Sequence, residues 1–362
     1  MKAIVLVGGE GTRLRPMTYT TPKPLLPIAN VAFLERQLEW LASHGVDEAI
    51  LSLGYMPDAF MERFPDGRSG SIALRYVVES EPLGTAGAIR FAAEGLDERV
   101  VVCNGDVLTT LDITAMIEFH EAANAEATIA LTRVDDPSRF GVVPTRDGGA
   151  VVAFVEKPPK GKAPTDWINA GTYILEQSVI ERIPGRLNVS IERATFPHML
   201  EDGGRLFAVR SDAYWLDIGT PEAFLRGNAD VLSGRIGGSI APGAIERSPG
   251  IWTQGEVVID PEAELVAPVL LGAGSVISSR AHIENSVVGA GCRIGGGARI
   301  VRSVVLDRAC LGTQVEVVDS VVGAAAVLED RALVADVTIV GEKMVVSAGA
   351  KVAGERLHAS PA

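Results

Sequence analysis

The run Val7-Gly8-Gly9-Glu10-Gly11-Thr12-Arg13-Leu14-Arg15-Pro16 directly follows an apolar stretch. Glycines let backbone N–H groups reach phosphate oxygens, and the Arg13 guanidinium adds a fork of donors matched to phosphate geometry. A dinucleotide fold asks for GxGxxG and a P-loop for GxxxxGK[ST]. Neither fits: Leu14 stands where the third glycine would be, and no Lys-Ser/Thr pair closes the loop. The glycines alone describe a plain strand-to-helix turn; the spacing of Arg13 favours phosphate. Lys23 lies in Pro22-Lys23-Pro24-Leu25-Leu26-Pro27, a segment that its prolines stiffen. Most lysines are solvated surface groups, but one on a stiff loop so near the glycines is favoured as a second phosphate contact.

Two acidic sites follow. Asp106 comes after an apolar strand through Asn104-Gly105, and Asp217 sits in Trp215-Leu216-Asp217-Ile218-Gly219-Thr220-Pro221. Carboxylates from two strand ends suit a hard cation such as Mg²⁺ that also binds substrate phosphates. Read singly, each aspartate is as readily a turn residue or a helix cap. In Phe154-Val155-Glu156-Lys157-Pro158, Glu156 could accept from sugar hydroxyls and Lys157 could neutralise a sugar phosphate, or the two could be a surface ion pair. Asn169-Ala170-Gly171-Thr172-Tyr173 offers an amide and a close backbone approach.

These groups need a scaffold. Over the first ~230 residues, strand-like and helix-like segments alternate, the pattern of a mostly parallel sheet covered by helices. Strands are expected at 2–7, 49–53, 100–103 and 128–132, and helices at 32–43, 85–94 and 113–124. Ligands of such sheets gather beyond the carboxyl ends of the strands, where loops 8–13 and 104–106 fall.

From about residue 233 the rhythm changes, through a glycine-rich linker. Leu271, Val288, Val305, Val322 and Ile339 recur every 17 residues, and Ser286, Ser303 and Ser320 keep the same spacing. Intermediate aliphatics include Ile277, Ile283, Ile294, Ile300, Leu311, Val317 and Leu328, mostly six apart. Three short faces per coil make a parallel β-solenoid. An amphipathic helix would have a different period and fewer glycines. The expected boundaries are 1–232, a linker at 233–250, and a solenoid at 251–354.

The net charge of −13 argues against general affinity for nucleic acid or anionic lipid. Cys103, Cys292 and Cys310 form no CxxC pair and have no histidine cluster beside them, so reduced thiols are expected. The apolar run at 3–7 is too short for a membrane span or a signal segment, which points to a cytoplasmic protein.

Taken together, GGEGTRLRP at 8–16, PKPLLP at 22–27, EPLGTAGA at 81–88, NGDV at 104–107, FGVV at 140–143, VEKP at 155–158, NAGTY at 169–173, IERATFP at 191–197 and WLDIGTP at 215–221 resemble the sugar-1-phosphate nucleotidyltransferases. The resemblance is strongest to the mannose-1-phosphate guanylyltransferases that carry a C-terminal left-handed β-helix, and it covers nearly the whole chain. It implies an α/β fold with a Rossmann-like sheet followed by that β-helix. It also implies in-line attack of a sugar 1-phosphate on the α-phosphorus of a nucleoside triphosphate, with Mg²⁺ as cofactor and without a protein nucleophile. By match to the motifs, Arg13 and Lys23 hold the triphosphate, with Val7, Gly8, Gly9, Gly11, Thr12, Glu79, Pro82, Gly84, Thr85 and Asn104 around the nucleotide. Asp106 and Asp217 hold the metal. Lys157 takes the incoming phosphate, and Gly141, Glu156, Asn169 and Gly171 the sugar.

Relatives that use thymidine or uridine triphosphate commonly carry Gln where this chain has Glu79. A carboxylate accepts the adjacent N1–H and N2–H of guanine together but would oppose an acceptor on uracil or thymine. This favours GTP if Glu79 faces the base rather than solvent. A dTTP- or UTP-dependent glucose-1-phosphate enzyme, an acyltransferase and a non-catalytic regulatory paralogue are the rivals. An acyltransferase would want a catalytic histidine on the solenoid, where only His282 stands, with His358 in the tail. Intact Arg13, Lys23, Asp106, Lys157 and Asp217 speak against a silent paralogue. The solenoid, with aliphatic interior and polar corners, is expected to support a homo-oligomer rather than catalysis.

Overall fold

The structure, a computed structural model, describes residues 1–358. The chain forms two compact units: Met1–Gly9 with Leu34–Trp215, and Glu10–Phe33 with the chain from Leu216 onward. The segment bearing Arg13 and Lys23 therefore belongs with the solenoid unit, although it lies near the N-terminus.

In the first unit, β1 (Lys2–Leu6), β2 (Glu48–Leu53), β3 (Ile72–Val78) and β4 (Val100–Asn104) run parallel in the order β4-β1-β2-β3. Their continuous Val, Ile and Leu runs suit strands covered on both faces. Helices α1 (Phe33–Ser43), α2 (Gly84–Ala92) and α3 (Ile113–Ala122) form where apolar residues return at helical spacing. Asp112 caps α3 by accepting from the Ala115 N–H at 3.0 Å. All three helices lie within two or three residues of the expected bounds.

Beyond β4 the sheet turns mixed. β5 (Ala127–Arg133), β6 (Gly141–Val142), β7 (Val155–Glu156), β8 (Trp167–Leu175) and β9 (Leu206–Arg210) extend it on this side. β8 is antiparallel to β4, β5 and β6, and β9 is parallel to β5. No α-helix separates β5 from β8, and strands joined without a crossover helix pair antiparallel. Cys103 points into this core, where burial pushes its thiol up to about 12. All three cysteines are free thiols.

In the second unit the aliphatic columns of the solenoid are realised as parallel register: Leu271 beside Val288, Val305 and Val322, and Ile277 beside Ile294, Leu311 and Leu328. These side chains are at most 3% exposed, and each contributes about 1.5–3 kcal/mol by burial. The serine column is a hydrogen-bonded ladder. The Ser303 N–H donates to Ser286 Oγ at 3.0 Å and the Ser320 N–H to Ser303 Oγ at 3.1 Å.

In the column that runs from Leu271 the 17-residue spacing fails at the step after Val322. Val322 pairs with Val340, not with Ile339, whose neighbour is Val321. One extra residue enters at the corner where both Asp336 and Val337 have positive φ, and Thr338, in the position after Ser320, donates its N–H to Ala335 O instead of the serine hydroxyl and accepts the Glu355 N–H at 3.3 Å. Within the stretch expected as linker, Ala244–Ser248 is a strand, antiparallel to Ile251–Gln254.

Candidate active site

The first unit presents its polar groups beyond the carboxyl ends of β1, β2 and β4. Val7 still bonds as strand, donating to Ser52 O at 3.0 Å. A Cβ on Gly8 would lie 3.4 Å from Gly54 N, and one on Gly54 would lie 3.1 Å from Gly8 O, so the two strand ends touch backbone to backbone. Gly9 is exposed, with nothing within 4 Å of a would-be Cβ. Its open backbone is what approach to a phosphate requires.

Glu79 ends β3 with both oxygens engaged. Oε1 accepts from Ser52 Oγ at 2.9 Å and Oε2 from the Leu83 N–H at 3.0 Å. The carboxylate thus fixes the loop through Pro82 that leads into α2. Gly84 starts that helix with φ +68°, and a Cβ there would meet Val189 O at 2.7 Å.

Asn104 ends β4 and Asp106 follows it. A Cβ on Gly171 would strike Asn104 Nδ2 at 2.6 Å, which brings 104 and 169–171 together. The β8–β5 register shifts between Asn169 and Tyr173, so the NAGTY segment is a bulge that re-aims Asn169. Gly141, paired with Glu156 across β6 and β7, leaves the space that Phe154 and Glu156 fill. Lys157, with φ +47°, is 60% exposed and sits 3.6 Å from Glu156 Oε1; Arg193 lies 3.4 Å from the same oxygen.

The second unit holds a separate cluster. Gly11 adopts φ +62° against Lys23 Cβ and Thr18, whose hydroxyl donates to Gly11 O at 2.9 Å. Thr12 and Arg13 are exposed in the following 3₁₀ turn. Lys23 is buried, not a solvated surface lysine, and its Nζ is 3.7 Å from Asp217 Oδ1, an ion-pair distance rather than a hydrogen bond. A Cβ on Gly219 would lie 2.8 Å from Asp217 Oδ1 and 2.9 Å from Arg13 Cζ. Arg13 and Asp217 thus meet at one glycine, and Lys23 pairs with the same Asp217 oxygen. Thr220, accepting from the Ala223 N–H at 3.3 Å, and Pro221 then start α5 (Pro221–Leu232). Among the described residues no three His, Cys, Asp or Glu side chains cluster as a ready metal site. Asp106 and Asp217 each offer carboxylate oxygens, hard ligands of the kind that suit Mg²⁺ together with substrate phosphates.

Residues 2–234 match the nucleotidyl transferase family model, and 248–352 match that of the EIF2B subunit epsilon LbH domain. The chain belongs to the nucleotidyl transferase family. It is 41% identical to a mannose-1-phosphate guanylyltransferase of Mycobacterium tuberculosis over 79% of each chain. It is 37% identical to mannose-1-phosphate guanylyltransferase 1 of Arabidopsis thaliana, again over 79% of each. HddC from Yersinia pseudotuberculosis, whose solved structures include a complex with GMP-PN, is 33% identical with a TM-score of 0.55. That likeness covers 63% of this chain and 97% of HddC. The C-terminal parallel solenoid is the left-handed β-helix that the resemblance implied.

Sequence reasoning left one part of this nucleotidyl transferase without a role. The IERATFP segment forms a π-helical turn, Ile191–Thr195, before α4 (Phe196–Glu201), and π turns concentrate at functional places. Glu192 on that turn accepts from Thr85 Oγ1 at 3.0 Å, Ser190 Oγ at 2.8 Å and the Tyr173 hydroxyl at 3.3 Å. Tyr173 accepts in turn from Asn169 Nδ2 at 2.7 Å. Burial first, and the Glu192 charge second, hold the Tyr173 hydroxyl well above its ordinary pKa, so it stays protonated. The available signal was the place of the 191–197 segment among those that carry the family resemblance; by itself it carried no chemistry.

Proposed function

We infer that this chain is a mannose-1-phosphate guanylyltransferase, joining GTP and mannose 1-phosphate to GDP-mannose with release of pyrophosphate. Relatives at 36–41% identity are named for guanylyl transfer to mannose 1-phosphate. The observation that carries the chemistry is the meeting of Arg13 and Asp217 at Gly219, with Lys23 paired to the same carboxylate. An arginine and a lysine gathered around one carboxylate suit a polyphosphate.

In the reaction an oxygen of the sugar phosphate forms a bond to the α-phosphorus. The bond from that phosphorus to the bridging oxygen of the β-phosphate breaks, and pyrophosphate leaves with the electron pair. The attacking group is already an anion, so catalysis is positioning and charge neutralisation. Arg13 and Lys23 neutralise the triphosphate and its leaving group, with Gly8, Gly9, Gly11 and Thr12 offering backbone N–H donors. Lys157 takes the phosphate of the sugar; Glu156, Asn169 and the backbone at Gly141 and Gly171 take its hydroxyls. Glu79 reads guanine N1–H and N2–H with the acceptor capacity left after its bonds to Ser52 and Leu83, and Pro82, Gly84, Thr85 and Asn104 shape the nucleoside pocket. We assign Mg²⁺ to the carboxylates of Asp106 and Asp217, where it would screen charge on the α-phosphate. Free thiols agree with a cytoplasmic setting, and the solenoid with self-association.

Pyrophosphate release from GTP, followed with and without mannose 1-phosphate, tests the reading. Release should require both substrates. Release without the sugar phosphate, or none when both are present, would reject it.

A further inference from the structure

We propose that Glu192 is a positioning residue that ties the nucleotide loop to the sugar subsite and sets the hydrogen-bond polarity of both; this rests on the substrate reading above. An ionised carboxylate only accepts. The Tyr173 hydroxyl must therefore give its proton to Glu192 Oε1, which leaves the phenolic oxygen as the acceptor for Asn169 Nδ2. Asn169 Oδ1 then faces the Gly171 N–H, from which it accepts at 2.9 Å. One amide orientation of Asn169 satisfies all three bonds, and it leaves the second N–H of Nδ2 for a substrate hydroxyl.

The other arm works the same way. Thr85 gives its hydroxyl proton to Glu192 Oε2 and accepts from the Ile191 N–H at 2.8 Å. Thr85 stands in the first turn of α2, immediately after Gly84 and the loop that Glu79 holds through Leu83. A single acidic side chain thus anchors the start of α2 and, through Tyr173, the amide of Asn169. The π turn places it there: Ser190 Oγ donates to Glu192 Oε2 while accepting from the Arg193 N–H at 3.2 Å. Glu192 need touch neither substrate.

The test is a kinetic split. Tyr173→Phe removes the Asn169 arm and should raise KM for the sugar phosphate about 10-fold, with KM for the triphosphate held within about 2-fold. Thr85→Val removes the other arm and should do the converse. Glu192→Gln, which makes one acceptor a donor, should raise both KM values. Should Glu192→Gln fail to fold, the Tyr173→Phe and Thr85→Val pair still decides the matter, since each removes only a hydrogen-bonding group. The result that overturns the proposal is Tyr173→Phe and Thr85→Val shifting the same parameter, or a folded Glu192→Gln with both KM values at wild type. The split is read on whichever pair of substrates the wild type uses fastest. A preference for a pair other than GTP and mannose 1-phosphate would count against the substrate assignment alone.

Discussion

Lys23 Nζ stands 3.7 Å from Asp217 Oδ1, although 194 residues separate the two in sequence, and the lysine side chain is only 10% exposed. A lysine held this closely is a fixed charge rather than a wandering one. Lys23→Met should lower kcat by about 100-fold, the scale of one preorganised charge at a transition state. Steady-state rates beside a thermal melt check this. A near-normal kcat in a folded variant would remove Lys23 from the phosphate site.

Asp106→Asn and Asp217→Asn each keep shape and lose one charge. Each should reduce turnover by at least about 100-fold and raise the Mg²⁺ concentration needed for half-maximal rate. Chelation with EDTA should stop the wild type, and added Mg²⁺ should restore it. Variants with wild-type Mg²⁺ titrations would show that the metal is held elsewhere.

Glu79→Gln keeps a side-chain oxygen for one of its two internal bonds but brings a donor beside the base. The ratio of kcat/KM for GTP to that for dTTP should fall by about 10-fold or more. An unchanged ratio would mean that Glu79 only braces the loop at Leu83.

Ser303 is 1% exposed, accepts the Ser320 N–H and donates to Val301 O. Ser303→Ala strands that N–H in a dry interior, a cost of about 1–3 kcal/mol. Urea unfolding of the second unit should report it. No change in midpoint would mean that the ladder is decorative.

Much of this was legible because it is local. The apolar run before Gly8 and the helical period of 113–124 lie within single elements, and the 17-residue columns are a repeat countable along the chain. The extra residue at the Asp336–Val337 corner was hidden, because Ile339 and Val340 are both aliphatic and either could continue the column. The strand Ala244–Ser248 was hidden among glycines and polar residues that also describe a linker. The burial of Lys23 and the bonds of Glu192 to Thr85 and Tyr173 were out of reach. They join groups 19 to 194 residues apart, which only the folded chain brings together. Glu79 shows a subtler limit: its residue type suggested a base reader, while its bonds to Ser52 and Leu83 show a brace as well.

The most direct measurement is substrate competition. The enzyme is given GTP, dTTP, UTP and ATP together with mannose 1-phosphate and glucose 1-phosphate, and the nucleotide-sugars are resolved by chromatography and mass. The account predicts a guanosine diphosphate sugar as the dominant product, with mannose preferred over glucose. A thymidine or uridine diphosphate glucose in its place would contradict it.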